Sequence, residues 1–336
     1  HWHREQDFRR AEGYWRQALK GFRAPTQLLL SRTQGDELED DQLQGVHEVT
    51  LSAETTSRLG TFAKDHRLTV NTLVQGAWSL LLHRYSGEED IVFGATRACR
   101  YSALAGADSM VGIFINTLSI RAQVKHEERL VDWLRELRDA QTALREYEHT
   151  PLAQVQGWSE VPRGTPLFES ILVFDNTSLD TALRSLGGEM THRRFKHAGQ
   201  TNYPLTLLAY ADAELLLRFE YDRRRFDDAA ARRMAGHLCA LLAGMAADSN
   251  QRLGEISPLN EVERQQLLVE WNATKRDYPK DQCVHRLFEA QVERTPEVAA
   301  VVFGEQELTY RELNKRANRL AHYLGKLAVG PDVPVR

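Results

Sequence analysis

Cysteine is scarce in this chain, and it is poorly placed for structural work. Cys99, Cys239 and Cys283 are odd in number, far apart and part of no CxxC pair. That excludes a disulfide framework and a Cys/His zinc site as organising devices, so no metal ligands are expected. Long apolar runs are also missing. None approaches the ~20 residues of a membrane span, so no membrane partner is expected. Positive charge is not in excess either. The balance is 43 Lys and Arg against 47 Asp and Glu, a net charge of −4. Without a basic field, nucleic acid is not an expected partner. The short clusters Arg193–Arg194 and Arg223–Arg225 sit near acids and read as solvated faces. The first residue is His1, and nothing after it resembles a signal peptide. A cytoplasmic location with reduced thiols is therefore expected, in a piece of a longer protein.

What is present is the pattern of a globular protein. Hydrophobic residues make up 42% and charged residues 27% of the chain. A length of 336 residues is enough for about two domains. Phe8, Ala11, Trp15, Ala18 and Leu19 recur at helical spacing within 1–22. Ser52 and Thr69 stand where helix caps belong. The second of these helices, to about residue 85, carries Leu73, Ala77, Leu80 and Leu81 on one face, widened by Val74, Trp78 and Tyr85. A helix apolar over so much of its surface is expected to be buried. Residues 90–96, DIVFGAT, read as a central strand. Leu130, Leu134, Leu137 and Leu144 form the stripe of a long amphipathic helix over 127–147. Residues 187–196 and 204–221 are expected to continue a sheet, with a turn at Asp212–Ala213. A helix over 226–246 closes this part.

The stretch 111–121, VGIFINTLSIR, is the most informative. At period two, one strand face carries Val111, Ile113 and Ile115, and the other carries Phe114, Leu118 and Ile120. Both faces begin apolar, which predicts a strand covered on both sides. Asn116 is conspicuous among these neighbours, since a covered amide must find hydrogen-bond partners. It is either a satisfied structural group or one aimed at a substrate.

VGIFINTLSIR resembles the VGxFxNTxxxR signature of condensation domains from nonribosomal peptide synthetases. Gly112, Phe114, Asn116, Thr117 and Arg121 carry that match. Residues 163–176, RGTPLFESILVFDN, resemble the same family's arginine-to-PLF motif through Arg163, Pro166, Leu167 and Phe168. Helices 52–85, the TNYPL of 201–205 and the loop 97–110 fall in the family's order, although the loop lacks the usual Gly-Arg-Pro. His149 and Pro151 resemble a further short motif of the family. The run LLVEWNATKRDYP resembles the linker to an adenylation domain. LTYREL and NRLAHYL, with Thr309 and Glu312 as a capping box, resemble the first signature of adenylation domains.

The resemblance implies an α/β fold, an α+β sandwich in the form of a chloramphenicol-acetyltransferase-like lobe. It implies a condensation domain over 1–246, mainly its second lobe, a linker over 247–282, and a truncated AMP-binding start over 283–336. The implied reaction is amide formation between carrier-bound acyl or peptidyl and aminoacyl thioesters. Gly112, Phe114, Asn116, Thr117, Arg121 and Arg163 are the implied tunnel or motif residues, with Asn116 and Arg163 as candidates for holding acyl or phosphopantetheine groups. The family's catalytic HHxxxDG belongs to the first lobe. No two histidines are adjacent in this chain, so no catalytic residue is assigned and the chain alone is expected to be inactive. No cofactor is expected to bind directly. Phosphopantetheine would arrive on partner carrier proteins, and ATP with Mg would need the complete adenylation domain. The implied partners are carrier proteins, the first condensation lobe and the rest of the adenylation domain. Two alternatives remain at this point: a starter-type domain taking a fatty acyl donor, and a non-catalytic module that docks carriers.

Overall fold

A computed structural model describes residues 8–28, 43–99, 106, 109–188, 201–277 and 281–330. The chain divides into two units, His1–Leu267 and Leu268–Arg336. In the first unit, helices α1 (Arg9–Ala18), α2 (Ala53–Asp65), α3 (Val70–Ser86), α4 (Leu130–Leu144), α5 (Leu152–Trp158), α6 (Leu179–Arg184), α7 (Asp228–Ala247) and α8 (Glu261–Gln265) surround one sheet. Its strands are β1 (Gln44–Thr50), β2 (Asp90–Ala98), β3 (Ile115–Gln123), β4 (Ser170–Asp175), β5 (Leu205–Ala211) and β6 (Leu215–Asp222), in the order β1-β6-β5-β4-β2-β3. Strands β2, β4 and β5 run parallel, and the remaining pairs are antiparallel. The expected mixed α/β architecture is present.

Local chemistry starts and stops these elements where the sequence marks them. Ser52 Oγ accepts from the Thr55 amide at 3.2 Å, and Thr69 Oγ1 from that of Thr72 at 3.1 Å. Each satisfies one of the orphan donors of a first helical turn. Gly87 ends α3 in the left-handed region at φ 75°, where a side chain would be strained. Helix α3 is the hub of the unit, with every residue from Thr72 to His83 buried. At Gly76 an added Cβ would lie 2.5 Å from Leu134 Cδ2, so a glycine lets α4 approach. Gly94 of β2 likewise leaves room for the Phe168 ring, 2.4 Å from where a Cβ would stand.

The second unit holds α9 (Val284–Arg294), the antiparallel pair β7 (Ala299–Phe303) and β8 (Gln306–Thr309), and α10 (Tyr310–Lys326). Thr309 and Glu312 form the expected capping box.

Two expectations need correction. The strand over 111–121 begins only at Ile115 and is the sheet's edge, and it is covered on both faces only around Leu118, Ser119 and Ile120, which are all buried. Ala98 of β2 pairs with Ile115, and the Cys99 amide donates to the Phe114 carbonyl at 2.9 Å. Before Phe114 the ladder from β2 gives out, leaving Val111 and Ile113 almost fully exposed and Ile115 64% exposed. Side-chain alternation shows what a strand's faces would be, not where its partner stops.

The other correction concerns the start of the exposed linker. Leu253 and Ile256, inside the expected 247–282, are each 1% exposed and belong to the first unit's core. Leu130 donates its amide to Gln251, Leu253 to Glu128 and Gly254 to His126, at 2.9–3.0 Å. Two apolar residues in a polar stretch were enough to dock it. Beyond that segment, α8 is held by its own side chain. Glu263 accepts from His237 Nε2 at 3.1 Å, and the Tyr85 hydroxyl donates to Nδ1 at 2.8 Å. Residues 189–196 of the expected strand and most of the loop over 97–110 lie outside the described residues, as do residues 1–7 of the first helix.

Candidate functional site

A cavity of about 790 Å³ opens at the carboxyl ends of the three parallel strands. Thr96 and Arg97 from β2, Phe174 from β4 with Asn176 just beyond its end, and Ala211 from β5 form its floor. The amino end of α3 and the carboxyl end of α4 form its sides. Chain direction produces this location, because the connections leaving parallel strands diverge there and leave a crevice.

Its wall carries a chain of side-chain amides. Gln75 Nε2 donates to Asn71 Oδ1 at 2.9 Å, and Gln141 Nε2 donates to Gln75 Oε1 at 2.7 Å. Arg97 then donates to Gln141 Oε1 across a long 3.5 Å. Gln75 and Gln141 are 2% and 8% exposed, so their pairing relieves a burial cost that neither meets alone. Glu148 is 5% exposed, and its Oε1 has no hydrogen-bond partner. Burial raises the Glu148 carboxyl above the ordinary carboxylate range, with Arg97 and Arg145 opposing. Burial also lowers the Arg97 guanidinium, against the pull of Glu148.

Asn116 is a structural clamp on this wall. Its Nδ2 donates to the backbone carbonyls of Glu148 and Thr150, both at 2.8 Å. That fixes the turn after α4 and, with it, the stem of Glu148. Cys99 Sγ donates to the same Glu148 carbonyl at 3.3 Å. The Cys99 thiol is pushed up to about 11 by burial, first of all, which disfavours the thiolate near neutral pH.

The other motif residues are dispersed. Arg121 pairs with Asp90 through two bonds of 2.8 and 2.7 Å. Its Nη1 donates to the carbonyls of Ala18 and Lys20, both at 2.9 Å, tying the end of α1 to the sheet edge. Gly112 is exposed, Phe114 is half-buried, and Thr117 is half-buried opposite Thr96 in the ladder. Arg163 is exposed in the turn closed by Thr165 N–H to Pro162 carbonyl, outside the cavity's lining. Among the described residues no histidine lines the cavity, and no group of three or more His, Cys, Asp or Glu is placed to hold a metal ion. None of the described helices is long and apolar enough to cross a membrane.

Sequence reasoning missed Arg97, Gln141 and Glu148. A signal existed for Gln141, which occupies a position on the leucine stripe of α4 and is buried there. A polar side chain on an apolar stripe needs a partner. Nothing local pointed to Arg97 or Glu148.

The mixed sheet, the buried hub helix and the crevice at the parallel strand ends define an acyltransferase-like lobe of the condensation type. The family model described as "Condensation domain" matches residues 1–268, and the chain belongs to that family. A second model, "AMP-binding enzyme", matches 288–336. One of the linear gramicidin synthase proteins of Brevibacillus parabrevis is 46% identical over 336 residues, covering 99% of this chain and 6% of that protein. A four-domain nonribosomal peptide synthetase crystallised with AMP and glycine superposes with a TM-score of 0.71 at 18% identity, over 97% of this chain and 26% of that one. The X-domain from teicoplanin biosynthesis does so with a TM-score of 0.62 at 20% identity, over 76% and 59%. At those identities the two structures speak to the fold. The chain spans only a small part of the synthase it resembles in sequence.

Proposed function

We propose that residues 1–267 supply one wall of an amide-forming site in a nonribosomal peptide synthetase module, and that the second unit begins the adjoining adenylation domain. The condensation-family match over 1–268 carries this reading. In the proposed reaction the amine of a carrier-bound aminoacyl thioester attacks the carbonyl of an acyl or peptidyl thioester on another carrier. The C–N bond forms, the C–S bond breaks, and the thiol leaves with a proton from the amine. A thioester is already activated, so holding the two chains in register supplies much of the rate. The proposed role of this lobe is that holding. Amine activation is assigned outside it, since no described histidine lines the cavity.

The proposed partners are phosphopantetheine-bearing carrier proteins and a complementary condensation lobe. Gly112, Phe114, Asn116, Thr117 and Arg121 serve that wall as its frame, and Arg163 is available to a partner at the surface. ATP chemistry is not assigned to these residues. The second unit has no Ser/Thr/Gly-rich loop to cradle a triphosphate, so its residues do not fit the nucleotide by themselves. The proposed compartment is the cytoplasm, where the three free thiols stay reduced. The test is amide formation between two loaded carrier proteins, using this chain alone and the full module. Turnover by the module and none by the chain is expected. Equal rates would overturn the division of labour.

A further inference from the structure

A second cavity, of about 480 Å³, lies where α1, β3 and α4 meet, and it falls within the size range of small-molecule sites. Gln141 is the single residue it shares with the crevice. Trp15 of α1 with Leu19 just beyond its end, Ser119 and Ile120 of β3, and Leu137 and Leu144 of α4 line it and are all buried. Two of these six carry polar atoms with nothing to bond. The Trp15 indole Nε1 and the Ser119 Oγ have no hydrogen-bond partner among the described residues, although the two residues are only 1% and 4% exposed. An indole N–H can only donate, and a hydroxyl can donate in any direction its rotation allows. Two uncommitted donors in one cavity wall call for an acceptor.

The charges around this cavity have one sign. Lys20 and Arg121 line it, and no Asp or Glu does. The other polar side chains of the lining are glutamines and a tyrosine, besides Trp15 and Ser119. Arg121 is committed, with two bonds to Asp90 and two to the carbonyls of Ala18 and Lys20. The Lys20 ammonium is not, for it makes no hydrogen bond or ion pair among the described residues. Glu160 feels its charge, but that carboxylate stands outside the lining, held by the Gly21 amide at 2.8 Å and by Arg23 at 3.1 Å. A cation finds no counter-charge in this wall. A purely apolar molecule fills the space and leaves both donors unpaired. An anion leaves water only for donors and a positive field, and this wall has both.

We propose that the cavity between α1, β3 and α4 binds a free monocarboxylate with an apolar body, its carboxylate accepting from Trp15 Nε1 and Ser119 Oγ and its body lying against Leu137 and Leu144. Lys20, exposed at the rim, supplies the counter-charge. The bound acid bridges α1 to α4. The inference stands apart from the proposed function, because the ligand is a free acid outside the crevice and no step of amide formation is needed for it to bind.

The test is heteronuclear NMR of the labelled full chain, titrated with octanoate and, separately, with octanol and octylammonium as neutral and cationic molecules of the same length. Octanoate is expected to move the Trp15 indole N–H downfield, that resonance being the one lost in Trp15→Phe. Octylammonium should bind at least about tenfold more weakly, since both donors and Lys20 then face a cation. Ser119→Ala should weaken octanoate about tenfold, by removing a bond to a charged acceptor. Lys20→Gln should weaken octanoate about threefold, the size of an exposed charge pair, and leave octanol unchanged. Octanol or octylammonium binding as tightly as octanoate overturns the proposal. So do octanoate shifts confined to the exposed stretch of Ile113 and Ile115, an unmoved Trp15 indole N–H, or no binding at about 10 mM. The ranking of the three molecules on the unaltered chain decides the matter even where a variant fails to fold.

Discussion

The two units obey the same local rules and reach opposite ends of the burial scale. In the first, Asn260 and Glu263 close a capping box. In the second, Thr309 and Glu312 close another. Yet the first unit buries Trp15, Trp78, Phe93 and Phe219 almost completely, while no described residue of the second is buried. Helix α10 keeps Leu320 and Tyr323 more than half exposed, and Phe303 of β7 is 83% exposed. Caps and propensity choose where a helix begins, and they contribute about 1 kcal/mol each. Burial decides whether the helix is held, and only the first unit has it.

Substitutions in the two units should separate accordingly. Trp78→Ala, at a site with 0% exposure, is expected to cost about 3–5 kcal/mol in urea unfolding of the first unit. An equal loss from Leu320→Ala in the second unit would break the contrast, since a change there should stay within about 0.5 kcal/mol. Next is Arg121→Ala, which strands Asp90 and two carbonyls and should cost about 2–3 kcal/mol by the same measurement. Asn116→Ala should cost about 1–3 kcal/mol, because two backbone carbonyls lose a donor. Ile115→Ala beside it should fall within about 0.5 kcal/mol, the reverse of what a doubly covered strand would give.

Acid should weaken the first unit selectively. His83 Nδ1 donates to the Glu88 carbonyl at 2.6 Å, leaving Nε2 to accept from His126 at 3.3 Å. Burial, above all, lowers His83 below its ordinary value of 6.5. The unfolded chain then binds more protons than the folded one between the two values. Stability from this group is full above 6.5 and is lost as pH falls through the lower, folded value. The melting temperature of the first unit should decline over that window, and His83→Gln should flatten the decline. An unchanged slope in the variant would remove His83 from the account.

Much of the fold was legible because its signals are local. Ser52, Thr69, Gly87 and Thr309 mark helix ends through bonds made within a few residues. The leucines of α4 reported their own face. The edge at Ile115 was not legible, since it depends on where β2 stops pairing. The docking of Leu253 and Ile256 depends on a surface made by residues 126–130, distant in sequence. The candidate site was least legible. Asn116 announced itself as a polar residue in an apolar run, but its partners lie on the turn after α4. Arg97 and Glu148 become neighbours only after β2 and α4 are placed.

That docked segment has a practical meaning for anyone recombining related synthases. A graft joined at residue 247 would deprive the donor lobe of Leu253 and Ile256 and give the recipient two greasy residues with no socket. The same junction would also strand Tyr85 and His237 without Glu263. A junction after Leu267 carries the whole set together, so the seam for exchange lies some twenty residues beyond the end of the last long helix.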